Sequence, residues 1–254
     1  MMNILNKDKN KPTIERLKMN RKEIKEKARN RLKENYWKCV LASIVLAFTL
    51  GTTGFSTFNS YTNDDFMDGI IKQIMYDNTL LALVLSISAS AFVIAFLIHI
   101  FLIRPLYAGC RNFFLINNSE KAPLNEIKSG FFKNYNNIVK TFFIHDCFIL
   151  LWSCLFLIPG IIKTYSYQMV PFLLAENPDL PPLEAINKSR EMMDGYKWQA
   201  FLLDLSFIGW EILSVLSFGI IGIFWTYPYM YQADAQLYEE LKNLDSTSIE
   251  YHLA

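Results

Sequence analysis

Residues 138–162 read IVKTFFIHDCFILLWSCLFLIPGII, and residues 201–221 read FLLDLSFIGWEILSVLSFGII. Each is an apolar span closing on a break, Ile158-Pro159-Gly160-Ile161 in the first and Phe218-Gly219-Ile220-Ile221 in the second. Outward from the spans, Pro123-Leu124-Asn125-Glu126-Ile127 opens an amphipathic segment before one and Pro182-Leu183-Glu184-Ala185-Ile186 before the other. Beyond the breaks, apolar segments run on to Pro171 and Pro228. Ser129 matches Ser189, Phe142 matches Phe201, Asp146 matches Asp204 and Trp152 matches Trp210, all near one offset of about 59 residues. The order predicts one supersecondary unit used more than once: a cytoplasmic amphipathic helix, interface aromatics, and a helical hairpin whose returning arm ends in proline. Pro105 gives a first, less regular copy, so the units fall at about residues 21–119, 121–179 and 181–242.

Composition sets the class. Hydrophobic residues make up 52% of the 254, and several apolar runs reach the eighteen or so residues that a spanning helix needs. Net charge is +1, but residues 1–38 hold thirteen Lys or Arg against five acids. The segment around Asp64, Asp65, Asp68 and Asp77 is acidic. Basic short loops stay in the cytoplasm, so the N-terminus is expected inside and the acidic loop outside. The expected fold is an all-helical polytopic membrane protein with six transmembrane helices in three hairpins, both termini cytoplasmic.

In chain order, residues 1–20 read as a flexible basic extension without apolar period. Ile24, Ala28 and Leu32 then recur at helical spacing between Arg21, Lys22, Lys25 and Arg29. Such a basic amphipathic helix suits an anionic inner leaflet, and equally suits packing on the protein's own loops. Tyr36-Trp37 stands where interface aromatics belong, and Val40 to Leu50 begins the first span. Leu80 to Ile103 is the second span, followed by a basic loop with Arg104-Pro105, Arg111, Lys121, Lys128 and Lys133. Ile138 to Leu157 is the third. Ile161 to Ala175 is a short fourth, carrying Lys163, Tyr165 and Gln168, for which a re-entrant segment is the alternative. Phe201 to Ser217 and Ile220 to Tyr231 are the fifth and sixth, and residues 243–254 read as a loose polar tail.

Charged groups inside these spans cost roughly 2.5–3.5 kcal/mol each on insertion scales, so each needs a partner or a wet cavity. They are His99, Arg104, His145, Asp146, Lys163, Asp204 and Glu211. Asp146 and Asp204 hold matching places, and one reading makes them an acidic pair lining an inward-open pocket, with Lys163 or Arg104 as countercharge. The other lets each carboxylate pair locally and set helix register. Glu211 should sit near mid-membrane, while His145 and Asp146 should point to different helix faces. Cys39, Cys110, Cys147 and Cys154 form no C-x-x-C pair, and are expected to pack as small apolar residues rather than form a disulfide or zinc framework.

Enzyme motifs are lacking: there is no G-x-S-x-G elbow, P-loop, H-E-x-x-H or Gly-rich dinucleotide turn. No cofactor or metal is expected, and the basic helix lacks base-stacking aromatics, which argues against nucleic acid. The lipid bilayer, with its anionic inner leaflet, is the expected partner.

Arg21-Lys22-Glu23-Ile24-Lys25 through Asn35-Tyr36-Trp37, Leu157-Ile158-Pro159-Gly160-Ile161, Ala185-Ile186 with Ser189, Asp194-Gly195-Tyr196-Lys197-Trp198 with Phe201, and Pro228-Tyr229 with Tyr238 form a set. As a set they resemble a Firmicutes family of integral membrane proteins, domain of unknown function 975. The Pro-Gly-Ile hairpin also looks like the membrane portion attached to some glycerophosphodiester phosphodiesterases, without their catalytic barrel. The resemblance implies a multi-pass bacterial plasma-membrane protein and carries no active residues. Three functions remain open from the sequence: a non-catalytic module organising lipids or partners, a small transporter with an intramembrane acidic site, and a membrane-embedded lipid enzyme.

Overall fold

A computed structural model describes residues 21–50, 73 and 76–253. The N-terminal extension and Asp64, Asp65 and Asp68 lie outside the described residues. The chain is all-helical there, with α1 (Arg21–Glu34), α2 (Tyr36–Leu50), α3 (Asn78–Ile98), α4 (Arg104–Ile116), α5 (Tyr135–Leu155), α6 (Leu157–Ser166), α7 (Val170–Glu176), α8 (Pro182–Met192), α9 (Lys197–Leu205), α10 (Ile208–Leu216) and α11 (Tyr227–Leu253). Three stretches are long and apolar enough to cross a membrane: Asn78–Ile116, Tyr135–Leu155 and Lys197–Leu216.

The molecule divides into an apolar-surfaced half and a packed half. Asp77 caps α3 by accepting from the Thr79 and Leu80 amides, and α3 then runs 21 residues without one buried side chain. Its serines bond back to their own helix, as Ser86 Oγ does to the Leu83 carbonyl at 2.8 Å, so its surface offers few unmet polar groups. Burial begins at Ile100, and in α4 the run from Ala108 to Phe114 is buried. At 1.5 Å per residue the 39-residue stretch is about 58 Å long, nearly twice a ~30 Å hydrocarbon core. Its first half is therefore long and apolar enough to cross a membrane, and its second half belongs to the packed core. That core is built by α1, α4, α7, α8 and α11, with Phe113, Phe114, Phe172, Tyr231 and Tyr238 among its largest buried side chains.

Prolines mark where helices enter the core. Pro171 lies in the first turn of α7, where a missing N–H costs no helical bond, whereas Pro105 and Pro228 sit just inside α4 and α11 with helix running on ahead of them. The chain ahead of Pro105 and Pro228 widens into a π-turn, with the Arg104 amide bonded to the His99 carbonyl and the Tyr227 amide to the Gly222 carbonyl. Ahead of Pro171 there is a turn at residues 167–169 instead, so Ile161 to Ala175 is not one span. α6 alone is ten residues, roughly 15 Å, too short to cross.

Three expectations are corrected. The 138–162 hairpin does double back, but it turns at Phe156, whose backbone is extended. Pro159 and Gly160 fall in the first turn of α6, where proline is tolerated. Gly160 serves contact rather than turning: a Cβ there would lie 2.5 Å from Ser153 Oγ and 3.0 Å from its Cα. Gly222 meets Ser214 in the same way, while the Phe218-Gly219 break does supply the expected turn, both residues having positive φ. Secondly, Cys147 and Cys154 are exposed on α5, and only Cys39 and Cys110 are buried. Thirdly, α11 continues as helix to Leu253 through the segment expected to be loose.

Gly160→Val should overpack the hairpin by about 1–3 kcal/mol. Thermal unfolding in detergent should show a lower Tm, partly restored by adding Ser153→Gly; an unchanged Tm would mean the arms do not touch there.

Candidate functional site

The polar residues of the apolar segments sort into separate clusters. Arg104, at the head of α4, grips Asp146 of α5 with two nitrogens, Nε donating to Oδ2 at 2.7 Å and a second nitrogen to Oδ1. His145 Nδ1 lies 2.9 Å from Asp146 Oδ1, and His99 Nε2 lies 3.8 Å from Oδ2. The expectation that His145 and Asp146 diverge is thus wrong: His145 sits edge-on to Phe142 and Tyr167, which holds its ring against the neighbouring carboxylate. Of the two countercharges weighed from the sequence, Lys163 and Arg104, it is Arg104 that meets Asp146.

Asp204 belongs elsewhere. Tyr165 Oη of α6 donates to Asp204 Oδ2 of α9 at 2.9 Å, and among the described residues no cation reaches ion-pair distance of it. Lys163 stands over the Trp152 ring at 4.6 Å. Glu211 is half-buried on α10, near enough to Tyr227 to act on it electrostatically. The structure therefore assigns Asp146 and Asp204 to different clusters on different helices.

The principal charge pair was not foreseen. Arg111, expected in a basic loop, is buried in α4, and its Nη1 donates to Asp234 Oδ2 of α11 at 2.6 Å, each side chain being 8% exposed. Tyr107, Phe172 and Tyr231 ring the guanidinium at 5.3, 5.4 and 5.4 Å. One signal was present: Arg111 stands six residues after Pro105, and Asp234 six after Pro228. Beside the pair runs a string of amides. Asn35 donates to Asn117 at 2.8 Å, Asn117 to Gln232 at 2.8 Å, and Gln232 and Gln236 both donate to Asn118.

The basic helix is partly spent on the protein itself. Ile24, Ala28 and Leu32 are buried against α11, so the apolar face of α1 is not free for lipid. Arg21 donates to the Leu202 carbonyl at 3.4 Å, and Lys25 to the Ser206 carbonyl and hydroxyl at 3.4 and 3.2 Å. These cations meet the carbonyl end of α9, where positive charge is favoured. Lys25 also lies 4.4 Å above the Phe207 ring, and partial burial holds its ammonium below the ordinary lysine value. Lys22 and Arg29 remain exposed. At its other end α1 meets Tyr36, whose hydroxyl donates to the Phe224 carbonyl at 2.7 Å.

Two clefts open in the packed half. One of about 640 Å³ is lined by Asn112, Glu176, Tyr238 and Lys242, and one of about 530 Å³ by Lys27, Arg31, Asn118 and Glu239. Neither includes Asp146, Asp204 or Glu211. Burial and the adjoining Glu176 carboxylate push the Tyr238 phenol up, so it stays a donor, bonded to Glu176 at 2.9 Å.

Arg111→Met strands Asp234 in the core and should cost about 3–5 kcal/mol, while Arg111→Met with Asp234→Leu should recover most of that. Unfolding by SDS titration in mixed micelles measures both; a neutral single variant would show that the pair is not desolvated.

No curated protein and no solved structure matches the chain. A family model described as "Protein of unknown function (DUF975)" matches residues 73–245, from the head of the α3 segment through the polar part of α11. The chain belongs to that family.

Proposed function

We propose that this is a non-catalytic module of the bacterial plasma membrane that gathers anionic lipids, and partners at that surface, on the cytoplasmic face. In this reading six apolar segments form three hairpin units with both termini inside, and the short α6 enters the bilayer without crossing it. The prolines opening α4, α7 and α11 support the three-unit arrangement, since each stands where an apolar arm passes into the water-side core.

One observation carries the function. Lys22, Arg29 and Lys33 lie exposed on α1 at spacings of seven and four, and the same spacing continues through Trp37, Leu41, Ile44 and Phe48 of α2. Trp37 is 69% and Phe48 65% exposed. A cationic stripe thus leads through an interface tryptophan into a lipid-facing stripe. Each such cation near an anionic leaflet contributes about 1 kcal/mol, weakened by salt.

The test is boundary-lipid selectivity of the reconstituted full chain, read by electron spin resonance of spin-labelled phosphatidylglycerol and phosphatidylcholine. Lys22→Gln, Arg29→Gln and Lys33→Gln together should lower the phosphatidylglycerol preference about threefold, as should high salt. An unaltered preference rules out the stripe.

A second reading has its own support. Asp204 is a half-buried carboxylate held by one hydroxyl, an arrangement that suits a carrier of protons or cations. Proteoliposomes should then show a pH- or ion-dependent flux that Asp204→Asn abolishes with folding intact; absence of flux in the wild type removes this reading.

A further inference from the structure

We infer that the larger cleft of the packed half is a binding site for a linear polyamine, whose ammonium groups meet Glu120 and Glu239 while its methylene stem lies on an apolar wall. At about 640 Å³ the cleft has the size of a small-molecule site. Its walls come from α4, α7 and α11, and hydrogen bonds fix them. On one side Asn112 of α4 donates from Nδ2 to Glu126 Oε2 at 2.8 Å and to Ser129 Oγ at 3.0 Å. On the other, Glu176 at the end of α7 accepts from Tyr238 Oη at 2.9 Å and from Lys242 Nζ at 2.6 Å, both on α11. Asn112 is 4% and Tyr238 1% exposed, so both walls are anchored in the core.

The groups left open in this cleft are acceptors. A carboxylate only accepts, so the bond to Glu126 fixes the Asn112 amide with Oδ1 as the atom left over. That oxygen accepts no hydrogen bond from the described residues, although its side chain is buried in the cleft wall. Glu120 and Glu239 line the cleft too, and no cation of the described residues lies within ion-pair distance of either. Two lysines border the space, but each already has a carboxylate: Lys242 has Glu176, and Lys133 lies 3.8 Å from Glu126. Four carboxylates thus stand against two ammonium groups. α4 also ends at Ile116, in the same wall, and the carbonyl end of a helix favours positive charge.

The rest of the wall selects the kind of cation. Leu115, Ile116 and Ala175 give the cleft an apolar side, which a hydrated metal ion leaves unused and a methylene stem covers. Among the described residues, no three His, Cys, Asp or Glu side chains are grouped to hold a metal. A primary ammonium donates three hydrogen bonds, and carboxylates and an amide oxygen are its matching acceptors. Glu120 follows α4 and Glu239 lies on α11, so a chain with an ammonium at each end is held twice.

Isothermal titration calorimetry of the full chain in phosphatidylcholine nanodiscs, which add no net lipid charge, tests the site with spermidine, cadaverine and 1,5-pentanediol. Both amines should bind saturably, and the uncharged diol at least about tenfold more weakly than cadaverine. Glu120→Gln with Glu239→Gln should weaken spermidine about tenfold or more. Glu120→Gln alone should give part of that loss, which keeps the test open if the double variant fails to fold. Glu34→Gln, at a residue lining only the smaller cleft, should give none. Absence of saturable amine binding to the wild type overturns the site, as does a loss with Glu34→Gln and none with Glu120→Gln. Displacement of spermidine by Mg²⁺ at equal concentration overturns the assignment to an organic cation. Tighter binding of N-acetyl-lysine amide than of cadaverine overturns the assignment to a free amine in favour of a partner's lysine side chain.

Discussion

A guanidinium in a protein core must find a carboxylate, and the packed half of this molecule is arranged around one such meeting. Arg111 and Asp234 join α4 to α11, and Phe172 brings α7 against the same guanidinium. Three helices that begin at prolines therefore converge on one charge pair. Stranding either partner costs far more than the pair contributes in net stability, so the contact acts as a register mark for how the three helices dock. The adjacent amides of Asn35, Asn117, Asn118, Gln232 and Gln236 extend that mark toward α1 and α2, since each buried amide must be satisfied by the others.

With the packed ends locked in this way, the apolar arms need few contacts of their own. α3 buries nothing, α5 buries only residues of its N-terminal half, and Phe218 and Val215 near the Gly219 turn lie open. In water this would be an aggregation surface; in hydrocarbon it is the surface that the solvent requires. Charges of the apolar segments cluster where arm and core meet. Arg104, Asp146, His145 and His99 gather beside the π-turn ahead of Pro105, where the backbone already leaves regular geometry. The Tyr165–Asp204 bond fastens α9 to α6.

Much of this was legible from residue order. Helical class and the apolar arms follow from run length, and the hairpin at residues 138–162 from two spans with no room for a domain between them. That Asp146 needs a countercharge followed from the cost of an unpaired charge, but the choice between Lys163 and Arg104 did not. Other features were opaque for local reasons. Proline and glycine at 159–160 look like a turn in any sequence, yet proline also suits a helix's first turn and glycine a close helix contact, and both apply here. The basic α1 read equally as a lipid-surface helix or a packed one, and burial of Ile24, Ala28 and Leu32 chose packing for its apolar face. Arg111 read as a loop cation because it follows the apolar run and Arg104-Pro105 and precedes Lys121, Lys128 and Lys133.

The sequence by itself determined that this chain is helical and that some of its segments are long and apolar enough to cross a membrane, because those properties depend on composition and period along one stretch. Tertiary structure alone decided which charges meet. Arg111 finds Asp234 across 123 residues, Arg104 finds Asp146 across 42, and Tyr165 finds Asp204 across 39. Pairings over such distances are set by how whole helices dock, a property of shape and burial that no local window contains.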